Sequence, residues 1–276
     1  MAIITLTTDF GYKDHFVAAI KGTILREVPD ARIVDISHGI SPFHIQECAY
    51  ILKNAYPSFP EGSIHIIGLD SELSPENEHL VALIDGHYFI GSNNGVISML
   101  ASGTVPERIA KIDIPNPVNG AFPTFDVLVV VACHLARGGK LEVVSKPYSE
   151  LRELRDFEPR VTNDGKTIIG NVIYIDNYGN VVTNIQKTLF EAYRNGRAFE
   201  ISARTEKVRH IHHTYNGFIN YELPPDKRKG PGDLLALFNS SGYIELAIYK
   251  SDQHSVGSAS SLLGLEYRDT ITINFT

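Results

Sequence analysis

Near its start the chain has the stretch Ile3-Ile4-Thr5-Leu6-Thr7-Thr8-Asp9-Phe10-Gly11, in which an apolar strand pattern runs into a polar turn. A helix pattern follows from about Asp14 to Val28, and Asp14 is suited to capping it. After a second strand pattern at 32–36, a second helix is predicted to begin at Ser41-Pro42, because proline fits the first turn of a helix. Strands that alternate with helices in this way predict an α/β fold with a mixed, mostly parallel sheet.

The next segments extend this sheet and then end the first domain. An apolar strand pattern at 63–69 leads to Asp70, and a hairpin is predicted around Asp85-Gly86, a dipeptide suited to a tight turn. An apolar segment at 127–136 predicts a buried helix, after which 146–159 becomes charged and loses its periodicity. We therefore predict an N-terminal α/β domain at 1–155.

The second half of the chain contains short strand patterns separated by glycine-containing turns. These patterns lie at 167–176, 199–203, 234–238, 243–249 and 270–275. Short strands at such spacing are typical of a small barrel or sandwich. We predict a smaller C-terminal β-barrel or β-sandwich domain at 160–276.

Composition excludes several classes of protein. The 276 residues are 43% hydrophobic and 21% charged, as in ordinary globular domains. A net charge of −7 argues against a nucleic-acid partner. Cys48 and Cys133 lie in apolar helix patterns and are predicted to be core residues. With neither a signal-peptide pattern nor a membrane-length apolar run, the expectation is a cytoplasmic protein without a membrane partner.

Two carboxylates are predicted to share one edge of the sheet. Asp9 follows the first strand, and Asp70 follows the strand at 63–69. Open α/β sheets bind ligands at this kind of edge, where a carboxylate can accept hydrogen bonds from a ribose diol. Taken alone, Asp9 also fits the role of a turn or cap residue.

Two polar segments of the second half are further candidates. The segment at 176–184 places amide side chains around a glycine turn, although a plain turn between strands would have the same composition. The segment His210-Ile211-His212-His213 could suggest a metal site. In a strand, however, His213 points away from His210 and His212, and a solvated strand edge explains the run better. We predict no metal site.

Several motifs occur together in one order along the chain. They are Thr8-Asp9-Phe10-Gly11, Asp35-Ile36-Ser37-His38 with Pro42 after it, Phe59-Pro60-x-Gly62-Ser63-Ile64-His65, Phe89-Ile90-Gly91-x-x-Asn94-Gly95, Asp176-x-x-Gly179-Asn180-x-x-Thr183-Asn184 and Asn239-Ser240-Ser241-Gly242. This ordered set resembles the S-adenosyl-L-methionine (SAM) hydroxide adenosyltransferases, relatives of the fluorinase and chlorinase enzymes. The resemblance implies an α/β domain followed by a β-barrel, in a homotrimer that binds SAM between one subunit's first domain and its neighbour's second.

The same resemblance implies roles for particular residues. Asp9 should hold the ribose hydroxyls, and Phe43 should pack on the nucleoside. Asp176 and Ser240 should face the methionine end of SAM, and Asn180 should address the adenine edge. SAM or adenosine is the implied ligand, and no cofactor is expected.

The chain departs from the family pattern at the catalytic positions. Asn77 stands where the family has an arginine seven residues after the strand-end aspartate. A family Thr-Phe-His-Gly-Arg-Asp stretch is shortened to Thr124-Phe125-Asp126, which removes the histidine. Of the family triad only Asp70 remains. Gly257-Ser258-Ala259 replaces the family's Gly-Asn-Ala.

Three hypotheses follow from these departures. The chain is a SAM hydrolase with an altered water-activating set, a non-catalytic binder of SAM or adenosine, or a structural trimer with a decayed pocket. The retained ligand-binding pattern argues against the third. His79 could replace the missing imidazole, but its position favours an exposed histidine in a loop or at the start of a strand.

Overall fold

The computed structural model describes residues 2–114, 121–154, 158–162, 164–251 and 257–276. The chain divides into two compact units, Met1–Asp156 and Phe157–Thr276. Within the described ranges, no helix has the length and apolar character needed to cross a membrane.

The first unit is built on a mixed sheet. Its strands are β1 (Ile3–Thr8), β2 (Arg32–Ser37), β3 (Ile64–Gly68), β4 (His79–Ile84), β5 (His87–Ser92), β6 (Arg108–Ile112) and β7 (Ser145–Pro147). The strand order is β2-β1-β3-β5-β4-β6-β7. The pairings β2–β1, β1–β3 and β3–β5 are parallel. From β5 to β7 the pairings are antiparallel, so the parallel strands occupy one half of the sheet.

Helices cover both faces of this sheet. They are α1 (Phe16–Glu27), α2 (Ile45–Ala55), α3 (Val96–Leu100), α4 (Val129–Ala136) and α5 (Leu141–Val144), with a 3₁₀ turn at Tyr56–Ser58 and a π-helical turn at Thr124–Leu128. One core joins α1 and α4 to Ile4 and Leu6 of β1. A second core joins α2 and α3 to Ile67 of β3. Cys48 and Cys133 are buried and unbonded, which confirms their prediction as core residues.

Both predicted helix starts in this unit were wrong by a few residues. The α1 helix begins at Phe16 after His15, and Asp14 does not cap it. The α2 helix begins at Ile45 rather than at Pro42, because Phe43 has a left-handed backbone with a φ of 60° that interrupts any earlier helix. His44 caps α2 instead, with its Nδ1 accepting from the backbone N–H of Glu47 at 3.1 Å.

The described part of the second unit is a nearly closed barrel with two α-helices and a 3₁₀ turn at Pro225–Lys227. Its elements are β8 (Arg160–Val161), β9 (Thr167–Ile175), β10 (Val181–Gln186), α6 (Lys187–Arg194), β11 (Phe199–Ala203), β12 (Glu206–Val208), β13 (Ile211–His212), β14 (Leu234–Phe238), β15 (Tyr243–Ile248), α7 (Ala259–Leu263) and β16 (Thr270–Phe275). The main strand order is β12-β11-β16-β9-β10-β15-β14-β13, and β12 approaches β14 to bring the two ends of the sheet together. The predicted fold class is confirmed, and the strands predicted at 199–203, 234–238 and 270–275 have the predicted bounds.

A pair of buried histidines links strands of the first sheet. The Nδ1 atom of His65 lies 2.7 Å from the Thr5 hydroxyl, and its Nε2 lies 3.1 Å from Nδ1 of His87. Burial and, to a lesser extent, the neighbouring His87 together lower the pKa of His65 to about 3. The folded protein therefore holds this ring in the neutral form.

We expect the stability of the protein to fall as the pH drops below about 6.5, the pKa of His65 in an unfolded chain. Between that pH and the folded pKa of about 3, the unfolded chain binds a proton that the folded chain excludes. The free energy of unfolding should decrease by up to about 1.4 kcal/mol per pH unit from this group. Urea unfolding between pH values of about 7.5 and 5.5 measures the slope. A His65→Phe variant with the same slope as the unmodified protein would contradict this origin.

Candidate functional site

The two carboxylates predicted to share a sheet edge do follow neighbouring strands. The strands β1 and β3 run parallel, with Thr8 paired to Gly68. Asp9 comes directly after β1, and Asp70 lies two residues after β3. Both residues therefore emerge at the carboxyl edge of the parallel half of the sheet, where open α/β sheets form ligand clefts.

Asp9 and Phe43 are in direct contact. The backbone N–H of Phe43 donates to Oδ2 of Asp9 at 2.9 Å. This bond holds Phe43 in its left-handed conformation, and the residue is 70% exposed. The arrangement places a carboxylate next to an uncovered aromatic face. A carboxylate can accept hydrogen bonds from a diol, and an aromatic face can pack against a planar ring.

A buried network fixes the loop that carries Asp9. The Thr8 hydroxyl lies 2.7 Å from Nδ1 of His38, and both residues are almost fully buried. Nε2 of His38 lies 3.1 Å from Oδ1 of Asp35. Burial acts to raise the pKa of Asp35, but its contacts with Lys21 and His38 outweigh burial and hold this pKa below its usual value. The loop is thereby anchored before any ligand binds.

Asp70 has an unusual backbone and an available side chain. Its φ of 44° is in the left-handed region, which non-glycine residues seldom adopt but which aspartate tolerates better than most. Among the described residues, none forms a hydrogen bond or an ion pair with its carboxylate. Asn77 directs its amide to the backbone carbonyl of Asp70 at 2.8 Å, so this amide does not take the place of an arginine beside the carboxylate.

His79 is buried at the start of β4, rather than exposed as the sequence suggested. Its Nε2 lies 2.8 Å from the carbonyl oxygen of Ser71, which can only accept, so Nε2 carries the proton. Burial lowers the pKa of His79, although the bond to Ser71 partly opposes this. The ring is therefore neutral at pH 7 and engaged with the backbone of the loop that carries Asp70.

In the second unit, Asp176 and Asn180 form a closed turn between β9 and β10. Oδ1 of Asp176 accepts from the backbone N–H groups of Tyr178 and Asn180, each at 2.8 Å. Oδ2 accepts from the side-chain amide of Asn180 at 2.9 Å. Gly179 has a φ of 74°, and a Cβ there would lie 2.1 Å from the Ser258 hydroxyl oxygen. The turn thus requires glycine and packs directly on Ser258.

Ser240 lies in the exposed turn between β14 and β15. Glu245 of β15, which the sequence did not single out, lies near this turn. Glu245 is 3% exposed and accepts from the Tyr215 hydroxyl at 2.6 Å. Burial raises the pKa of Glu245, and the charge of Asp176 raises it further, against the hydrogen bonds from Tyr215 and Asn239. Asn239 is the neighbour of Ser240. Glu245 therefore interacts both with the turn at 176–180, through Asp176, and with the turn at 239–242, through Asn239. A single charge within the apolar pattern of β15 was the available signal.

The histidine run at 210–213 is poorly suited to bind a metal ion. The rings of His210 and His212 have centroids 4.4 Å apart, and His212 packs edge-on against Phe218. In the described part of the chain, no three histidine, cysteine or acidic side chains are grouped so that they could hold a metal ion.

Taken together, these features define a two-unit protein with carboxylates at the ends of parallel strands in an α/β unit and a polar turn on a β-barrel unit. Two family models match the chain: the SAM hydroxide adenosyltransferase N-terminal domain at residues 4–145 and the C-terminal domain of the same family at residues 170–272.

Individual proteins agree with these matches. The chain is 30% identical to the (R)-S-adenosyl-L-methionine hydrolase of Methanocaldococcus jannaschii, over 98% of this chain and 95% of that protein. It is 25% identical to the fluorinase of an Actinoplanes species, over 89% and 90%. The crystal structure of an uncharacterized conserved protein from Thermotoga maritima has a TM-score of 0.82 at 26% identity and covers 99% of each chain. The chain belongs to the SAM hydroxide adenosyltransferase family.

Proposed function

We propose that this protein hydrolyses SAM to adenosine and L-methionine, with the (R)-sulfonium epimer as its substrate. Family membership and the relatives named (R)-S-adenosyl-L-methionine hydrolase support this reaction. The observation that carries the proposal is Asp70, which has a left-handed backbone and a carboxylate without a polar partner among the described residues. A carboxylate in this state is available to a water molecule.

The proposed reaction is a single displacement at the ribose C5′ atom. The oxygen of a water molecule forms a bond to C5′ while the bond from C5′ to sulfur breaks, and its electron pair stays on sulfur. The positive sulfonium becomes the neutral thioether of methionine, so the leaving group needs no acid. The Asp70 carboxylate accepts a proton from the attacking water and passes it to solvent. This chemistry requires neither a cofactor nor a metal.

The other site residues have binding roles in this proposal. Asp9 accepts from the ribose hydroxyls, and the exposed ring of Phe43 covers the nucleoside. Asp176 and Ser240 bind the methionine end, and Asn180 addresses the adenine edge. Asn180 already donates its amide to Asp176, so its carbonyl oxygen is the atom with spare capacity for the exocyclic amine of adenine.

We propose turnover that is slower than in relatives with the full triad, because a carboxylate without a charged partner or a histidine is a weak base for water. A non-catalytic SAM or adenosine binder is the second candidate, and the direction of the Asn77 amide towards the backbone favours it. Calorimetry with SAM and chromatography of the products separate the two functions. Binding with adenosine release supports the hydrolase, and binding without release supports the binder. No binding at all leaves only a structural role.

We also propose that the protein acts in the cytoplasm, and that it assembles as a homotrimer, as the family resemblance implies. Light scattering of the purified protein is expected to give three times the mass of the 30.6 kDa chain. A monomer at micromolar concentration would contradict this assembly.

A further inference from the structure

The loop after β3 is held by side chains to an unusual degree. Four consecutive backbone carbonyls each accept a hydrogen bond from a side chain. The bonds are Asn94 to Leu69, Asn77 to Asp70, His79 to Ser71 and Asn77 to Glu72, at 2.8, 2.8, 2.8 and 2.9 Å. The three donor residues are each more than nine-tenths buried. Because buried polar bonds of this kind resist rearrangement, the loop is fixed in one conformation.

One further contact joins this loop to the π-helical turn. The hydroxyl of Ser71 lies 2.7 Å from the hydroxyl of Thr124, the first residue of that turn. Thr124 is fully buried at the end of β3. Its methyl group lies 3.0 Å from the position that a Cβ on Gly68 would occupy, so the absence of a side chain at 68 permits the close approach. The contact therefore depends on a specific glycine as well as on two hydroxyl groups.

The contact between Ser71 and Thr124 lies where the chain departs from the family pattern. The turn spans Thr124–Leu128. By the family resemblance, the histidine-containing stretch is shortened at the start of this turn. The turn forms the start of the helix that continues as α4. Single π-helical turns often occur at functional sites. Here the turn places a hydroxyl beside the residue that follows Asp70. No described residue bonds to the Asp70 carboxylate itself, so its direction depends on the backbone that these contacts hold.

We propose that Ser71 and Thr124 are positioning residues for the hydrolysis, and that their hydroxyl pair substitutes for the missing histidine by fixing the direction of the Asp70 carboxylate. This inference rests on the proposed SAM hydrolysis. The pair aligns the base with the attacking water and exchanges no proton with the substrate. A misplacement of about 1 Å can cost about 10²-fold in rate, which is the effect that the pair prevents.

Steady-state kinetics with (R)-SAM test the proposal. Thr124→Val removes the hydroxyl at constant volume, and we expect kcat to fall about 10²-fold with little change in KM, because binding of the nucleoside does not involve this pair. Thr124→Ser should restore kcat. Ser71→Ala removes the same hydrogen bond from its less buried partner. This variant provides the test if Thr124→Val fails to fold. The double variant should lose no more than either single variant, since both remove one interaction.

Thr5→Val is the matched control. Thr5 is another fully buried threonine of the same unit, bonded through its hydroxyl to His65. Loss of the Thr5 hydroxyl should lower the melting temperature of the protein, while kcat stays near the wild-type value. The proposal is overturned if Thr124→Val and Ser71→Ala keep wild-type kcat, or if Thr5→Val loses kcat to the same extent. If the unmodified protein releases no adenosine, the proposed hydrolase function fails together with this inference; an active protein with indifferent Ser71 and Thr124 variants refutes this inference alone.

Discussion

The Asp70→Asn variant is expected to bind SAM normally and to release adenosine about 10²- to 10⁴-fold more slowly than the unmodified protein, the usual contribution of a positioned general base. An amide has the shape of the carboxylate but cannot accept the proton of the attacking water. The substitution should not disturb the fold, because asparagine tolerates the left-handed conformation that residue 70 adopts with its φ of 44°. Chromatographic measurement of adenosine formed per enzyme gives the rate.

Glu72 provides the control for this variant. It is exposed on the same loop, and only its backbone carbonyl is held by Asn77. The Glu72→Gln variant removes one negative charge from the loop and should leave turnover unchanged. Equal losses in the two variants would point to the charge of the loop rather than to Asp70 as a base. Full activity in Asp70→Asn would mean that another group accepts the proton.

The Asp9→Ala variant is expected to lose about 10²-fold in affinity for adenosine, because two hydrogen bonds from a ribose diol to a carboxylate contribute about 3 kcal/mol together. The variant also releases the backbone of Phe43, whose N–H donates to Asp9. Both effects weaken binding, and neither involves the apolar core. Calorimetry with adenosine and a thermal melt therefore separate loss of binding from loss of folding.

Two further variants divide the role of Asp9 into its parts. Asp9→Asn keeps an oxygen that can accept from Phe43 but removes the charge, so it should recover only part of the affinity. Asp14→Ala removes an exposed carboxylate from the same connection and should bind adenosine as the unmodified protein does. Unaltered affinity in Asp9→Ala would make Asp9 a turn residue that serves Phe43 alone.

The sheet and the barrel could be predicted because their signals are local. Alternating apolar residues gave the strands at 199–203 and 270–275 with their observed bounds. The hairpin at Asp85-Gly86 followed from the preference of these residues for positive φ, which they adopt at 49° and 74°. The start of α2 could not be predicted in this way. It depends on the left-handed Phe43, and that conformation is held by Asp9 from another part of the chain.

The candidate site was predictable as a set of positions but not as a set of bonds. Motif order identified Asp9, Asp70 and Asp176 because strand ends collect ligand-binding side chains. The burial of His79 and its bond to Ser71 depend on how the loop folds back over β4, which no sequence periodicity encodes. Glu245 was overlooked for a different reason. A lone charge in an apolar strand is usually a surface residue, and here Tyr215 and Asn239 make its burial possible.

Hydrolysis of (R)-SAM in water enriched in heavy oxygen tests the proposed function and its mechanism in one experiment. Attack of water at C5′ predicts equal amounts of adenosine and L-methionine, with the heavy oxygen in the 5′-hydroxyl group of adenosine and none in methionine. Mass spectrometry of the two separated products measures both their amounts and their content of heavy oxygen. The account is contradicted if no adenosine forms while SAM is bound, or if the adenosine that forms contains no oxygen from the water.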